Sequence, residues 1–254
     1  MAFALSIVTL EEALEKPGCA ICRLEHEAAI RWIDTLLWEN TNDPATRKPI
    51  NNAYGFCPEH TRMLVAIEIS NSGPVLGVNI IYSLLAKIVS QDLKKVRSQP
   101  QAQTRFSKVL RKWGEKFFQR KISIILQPQQ RCPVCEMVEQ SGRNILSILF
   151  EVIEAKDQKL IEAYQRSNGI CLQHLRIGLE NYMVRYPKSA DFLIQDTINR
   201  LDTQQRQMLE YIRKHNWAYR DEKLTPQERI AWLRTLTFFT GYPAEKFNHR
   251  IDEF

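Results

Sequence analysis

Apolar side chains recur along this chain at intervals of three and four. Leu24, Ala28, Trp32 and Leu36 share one stripe, with Ile33 and Leu37 beside it, and that period belongs to an amphipathic helix. The stripe predicts a helix after Cys22 that stops near Asn40, where NTNDPATRKPINNAYG reads as a loop. A break at NSGP (71–74) precedes a second periodic run, Val75 to Val96. A third run, about Arg105 to Leu126, gathers Phe106, Val109, Leu110, Trp113 and Phe117 on one face, with Arg105, Lys108, Arg111 and Lys112 opposite. A long helix is expected from about Pro133 to a turn at SNG (167–169). Another follows Cys171, and after a YPKSA loop a further helix continues to about Arg220. No segment alternates as a half-buried strand would. The expected fold class is all-α.

The boundary signals agree with this pattern. Thr9 and Glu12 have the spacing of a capping box for a short first helix. Pro58 suits a first helical position, with Glu59 in the acidic first turn. Thr225, Pro226 and Glu228 form a strong helix start, and Gly241 a stop. Trp232, Phe238, Phe239 and Tyr242 read as the apolar face that packs this last helix onto the body. Glycine is scarce, 9 of 254 residues, so the chain is poor in the residue that tight hairpins require.

The cysteines reveal a repeat inside the helical pattern. Cys19 and Cys22 form C-x2-C, and GFCPEH follows at 55–60. Cys132 and Cys135 form a second C-x2-C, and GICLQH follows at 169–174. Between the motifs, RWIDTLLWE (31–39) matches RNILSILFE (143–151) in the pattern R-x-I-x-[ST]-[LI]-L-[WF]-E. Such self-similarity predicts two tandem helical units. Their expected extents are 1–98 and 104–221, with SQPQAQT as the boundary and 222–254 as a C-terminal helix and tail.

Each repeat holds three cysteines and one histidine at ligand spacing. The expected metal ligands are therefore Cys19, Cys22, Cys57 and His60 in the first repeat, and Cys132, Cys135, Cys171 and His174 in the second. A Cys3His set closes a tetrahedral shell, as a structural zinc site needs, whereas catalytic zinc keeps a position open for water. Soft sulfur ligands exclude calcium and magnesium. The expected cofactors are two zinc ions per chain, with an iron–sulfur cluster as the alternative. A thioredoxin-type dithiol requires a βαβ context, which is missing, and leaves Cys57, Cys171 and both histidines without a role. Each zinc site would carry a net negative charge, so Arg23, Arg62, Arg131 and Arg176 are candidate donors to sulfur. His26, four residues after Cys22, finds its shell already filled.

Charge adds one further feature. The net charge is +6. Between Lys94 and Lys121 there are ten cations and one acid, so one basic segment rides on a mildly acidic body. Arg105, Lys108, Arg111 and Lys112 could meet nucleic acid, an anionic membrane or an acidic protein. The simpler reading is a core-packing helix with a solvated cationic face. No phosphate-binding loop, dinucleotide fingerprint, nucleophile elbow or HExxH is present. Mean hydropathy is −0.34 and no run of 18 apolar residues occurs, so no membrane span is expected. The apolar start lacks a basic lead, which fits a cytoplasmic protein. These features favour a non-enzymatic zinc-binding scaffold or interaction protein with a protein partner. Nucleic-acid binding through 94–121 and an iron–sulfur or thiol-based redox protein or enzyme are the alternatives.

The tandem pattern resembles a prokaryotic family of helical proteins predicted to bind zinc. The residues carrying the likeness are Cys19, Cys22, Gly55, Phe56, Cys57 and His60, with Cys132, Cys135, Cys171 and His174. It extends through about residue 220. The resemblance implies the helical fold and the metal sites, and brings no activity with it.

Overall fold

The structure is a computed structural model that describes residues 2–70, 73–97, 124–219 and 221–241, with the side chains of 2–5 excepted. Helices account for its secondary structure, and no strand occurs among the described residues. The chain forms two compact units. One takes residues up to Ala28 and from Val138 onward; the other is Ala29–Met137. The second unit is therefore inserted into the sequence of the first. The basic run 105–121 and the linker before it lie outside the described residues.

In the first unit, α1 (Ala2–Leu14) is followed by the start of α2 (Ala20–Thr35). Helix α1 begins before Thr9, so the expected Thr9–Glu12 cap lies inside it. The chain returns to this unit along α6 (Pro133–Glu154), then makes α7 (Gln158–Arg166), α8 (Leu172–Tyr182), α9 (Pro187–Lys214) and α10 (Pro226–Thr240). The expected single helix up to the SNG turn is divided. Lys156 turns at φ 60, and Asp157 caps α7 by accepting from the Leu160 amide at 3.0 Å. Arg200 of α9 closes the other end of α7, donating to the carbonyls of Ser167 and Tyr164. Helix α9 starts at Pro187, inside the expected YPKSA loop, and ends at Lys214 rather than near Arg220. Leu10, Leu14, Ile21, Leu146, Leu149, Phe150, Tyr164 and Leu193 form the core. Each fully buried aliphatic or aromatic side chain there contributes about 1.5–3 kcal/mol.

In the second unit, α2 widens into a π-helical turn at Leu36–Asn40, and the Thr41 hydroxyl donates back to the carbonyls of Leu36 and Leu37. The expected loop 40–55 contains a helix, α3 (Pro44–Asn52), capped by Asp43, which accepts from the Thr46 amide at 2.8 Å. Helices α4 (Pro58–Ser70) and α5 (Leu76–Arg97) follow. The buried Glu68 of α4 accepts from the Val78 amide in the first turn of α5. Leu36, Ile50, Ile81 and Leu85 make a small core, with Trp32, Phe56 and Tyr82 against it. No helix among the described residues is long and apolar enough to cross a membrane.

Candidate metal centres

All four cysteine motifs occupy the same local geometry. Cys19, Cys57, Cys132 and Cys171 each stand just before a helix, α2, α4, α6 and α8. Their carbonyls accept the first helical hydrogen bonds, from Arg23, Thr61, Glu136 and Leu175. The second residue of each motif, Cys22, His60, Cys135 or His174, lies three residues on, within the first turn. A capping box uses this spacing because cap and third-residue side chains lie over the same helix end. Here both side chains carry ligand atoms. Helix N-termini also carry partial positive charge, which favours a thiolate there. Gly55 and Gly169, two residues before Cys57 and Cys171, hold φ of 99 and 75 and turn the chain sharply into these starts.

The eight residues gather into two clusters that could each hold a metal ion. One is Cys19, Cys22, Cys171 and His174; the other is Cys57, His60, Cys132 and Cys135. In each, the ligand atoms lie within 4.8 Å of one another. The pairing is crossed relative to the expectation of one site per repeat. Each C-x2-C meets the C-x2-H of the opposite repeat. The cause is the path of the long helices. Helix α2 starts at the first C-x2-C and runs on past Ala28, so the GFCPEH that follows is delivered into the second unit. Helix α6 starts at the second C-x2-C and brings GICLQH back to the first.

The distances suit a tetrahedral ion. Zinc at about 2.3 Å from sulfur and about 2.0 Å from nitrogen makes tetrahedral edges of about 3.8 Å (S–S) and about 3.5 Å (S–N). Cys22 Sγ and Cys171 Sγ are 3.7 Å apart. His174 Nδ1 is 3.5, 3.4 and 3.2 Å from the sulfurs of Cys19, Cys22 and Cys171. In the other cluster Cys57 Sγ and Cys135 Sγ are 3.7 Å apart. His60 Nδ1 is 3.1, 3.6 and 3.4 Å from the sulfurs of Cys57, Cys132 and Cys135. The cysteines are all free thiols, and 3.7 Å is far from a disulfide bond of about 2.05 Å.

A family model for a family of unknown function, DUF6062, matches residues 1–245. The chain belongs to the DUF6062 family. No curated protein and no solved structure matches it.

The electrostatics of the clusters in this DUF6062 protein are those of crowded thiols. Hydrogen bonds with Cys171 and Cys19, then burial, push the Cys22 thiol well above its ordinary range. The Cys171 thiol is held far below it by hydrogen bonds with Cys19, Cys22 and His174. Burial, then hydrogen bonding with Cys57, pushes Cys135 up to about 12. The protein groups alone thus force neighbouring sulfurs to share protons, because clustered thiolates repel. A cation bound among the sulfurs would remove that conflict and release the protons. Burial opposes charge on His174, but hydrogen bonds with Cys171, Cys19 and Glu25 outweigh it and push the imidazole up to about 12.

Three residues at the first cluster carried no signal in their own spacing. Glu25 Oε2 lies 3.1 Å from His174 Nε2. Gly142 of α6 gives that carboxylate its room: a β-carbon there would collide with Glu25 Oε1 and lie 2.9 Å from its Cδ. Gly241 does end α10, as expected, at φ 67, but it also stands over the ligands. A β-carbon on it would come 2.9 Å from Cys22 Sγ and 3.2 Å from Cys171 Sγ. Of the candidate arginines, buried Arg23 donates to the Pro17 carbonyl, while Arg62 and Arg176 pair with Glu59 and Glu180 on exposed helix surface. His26 is in neither cluster. Trp232 and Phe239 are half-exposed rather than packed, because α10 buries Ala231, Leu233 and Thr237 instead. Arg105, Lys108, Arg111, Lys112 and Tyr242 lie outside the described residues.

Proposed function

We propose that this is a non-enzymatic zinc-binding protein whose two Cys3His sites are structural and whose role is to present helical surfaces to a protein partner. The observation that carries the reading is the pair of four-ligand clusters with tetrahedral edges. Four protein ligands within 4.8 Å fit one ion and leave it no open position. An iron–sulfur cluster spreads its ligands over several metals, and this compact spacing favours a single ion instead. Cys19, Cys22, Cys171 and His174 would hold one zinc, and Cys57, His60, Cys132 and Cys135 the other. Each would staple two helix N-termini within one unit. Metal binding of this kind adds directly to folding free energy.

The test is metal content. Protein purified without chelator should be colourless and carry two zinc ions per chain by mass spectrometry. A brown protein containing iron, or a folded protein without bound metal, would overturn the reading.

A further inference from the structure

The two clusters have the same donors but different surroundings. In the first, Cys19, Cys171 and His174 are buried and only Cys22 is half-buried. This cluster belongs to the main hydrophobic core. In the second, His60 is buried but Cys57, Cys132 and Cys135 are all half-buried. Accessible thiolates are the ones that solvent-borne ligands and electrophiles reach.

The histidines differ as well. Glu25 accepts from His174 Nε2, which leaves Nδ1 as the ring nitrogen that faces the sulfurs and would serve as the donor to an ion. Such a carboxylate–imidazole pair holds the ring in its ligating orientation and raises its basicity toward metal. Among the described residues, no carboxylate pairs with His60. The difference is written in the repeat. Glu25 stands three residues after Cys22, and the residue three after Cys135 is Val138. Gly142, which makes room for Glu25, precedes Arg143; the residue before the matching Arg31 is Ile30. Glycine inside a helix costs about 1 kcal/mol against alanine, so its presence in α6 needs a reason, and the Glu25 carboxylate supplies one.

We infer that the two metal sites are unequal: Cys19, Cys22, Cys171 and His174, positioned by Glu25, form the permanent site, and Cys57, His60, Cys132 and Cys135 form an exchangeable one. This rests on the zinc reading above. Glu25 is a positioning residue, acting on the metal through His174. The exchangeable site is the one that would hand its ion to a competing chelator or expose its thiolates to an electrophile.

The experiment uses the whole zinc-loaded chain at neutral pH. Zinc release to a chromogenic chelator is followed in the presence of N-ethylmaleimide, and modified peptides are identified by mass spectrometry at intervals. The expected result is two phases of one zinc each, separated by about tenfold or more in rate. Modification of Cys57, Cys132 and Cys135 should accompany the fast phase. Glu25→Gln should accelerate the slow phase about 10–100-fold and leave the fast one unchanged. Gly142→Ala should act the same way, because it moves the carboxylate without changing it. A single release phase, or fast modification of Cys19, Cys22 and Cys171, overturns the inference while leaving two bound zinc ions in place. Two phases with an unchanged slow phase in both variants remove Glu25 as the cause. Absence of zinc in the starting protein defeats the zinc reading itself. The wild-type measurement stands even if a variant fails to fold.

Discussion

Gly241 shows how much one missing methyl group can decide. The sequence marks it as a helix stop, and its left-handed φ of 67 agrees. Its second role came from a contact far away in the chain, with Cys22 and Cys171, which no local spacing reports. Gly241→Ala is expected to cost about 1–3 kcal/mol through the left-handed backbone alone. It should also weaken zinc at the first cluster and leave the second untouched. Chemical denaturation and metal counting on the same variant check this; stability lost with both zinc ions equally well held would sink the sulfur-contact argument. Glu25 was hidden for the same reason. A glutamate on a helix is ordinary in sequence, and only the fold brings it to His174.

Helices were legible where their ends carried strong chemistry. Helix α10 runs between its marked residues, and Thr225 and Glu228 form a reciprocal capping box. Helices α3 and α7 were missed because their caps, Asp43 and Asp157, lie in stretches that resemble a loop or a continuing helix. A short helix has too few periods to show its stripe. The start of α10 also yields a pH prediction. Lys214 Nζ lies 2.8 Å from Glu228 Oε1, and this pairing, with the Thr225 amide, holds the Glu228 carboxyl below its ordinary range. Its folded pKa is thus lower than the unfolded value of about 4.3. The pair's contribution is complete above that value and disappears as pH falls through the folded pKa. Wild-type and Glu228→Gln proteins should therefore differ in melting temperature at pH 6 and converge toward pH 3. A constant gap across that range would remove the ion pair as its source.

For the whole molecule, the sequence disclosed the eight cysteines and histidines that cluster but misjudged which four meet. Two copies of one motif are chemically interchangeable, so spacing cannot say whether a site closes within a copy or between copies. The helices decide it, since α2 and α6 carry the chain from one unit to the other between motifs. Metal counting on double variants separates the two arrangements. Cys57→Ser with Cys132→Ser should remove one zinc, because both fall in one cluster, whereas Cys22→Ser with Cys57→Ser should remove both. The reverse pattern would restore pairing within each copy. The crossed arrangement also spans more chain. His174 and Cys22 are 152 residues apart, against 75 for Cys135 and His60. That doubling adds about 0.6 kcal/mol of closure entropy at the first cluster.

The inserted second unit also fixes a schedule on the ribosome. Its four clustered residues have all been synthesised once Cys135 is made, while Cys19 and Cys22, made earlier, still lack their partners. His174 follows Cys135 by 39 residues, about 2–8 s of synthesis at 5–20 residues per second. During that interval Cys19 and Cys22 have neither Cys171 nor His174 to share an ion with. The cluster that ends up most deeply buried is the last that can be assembled.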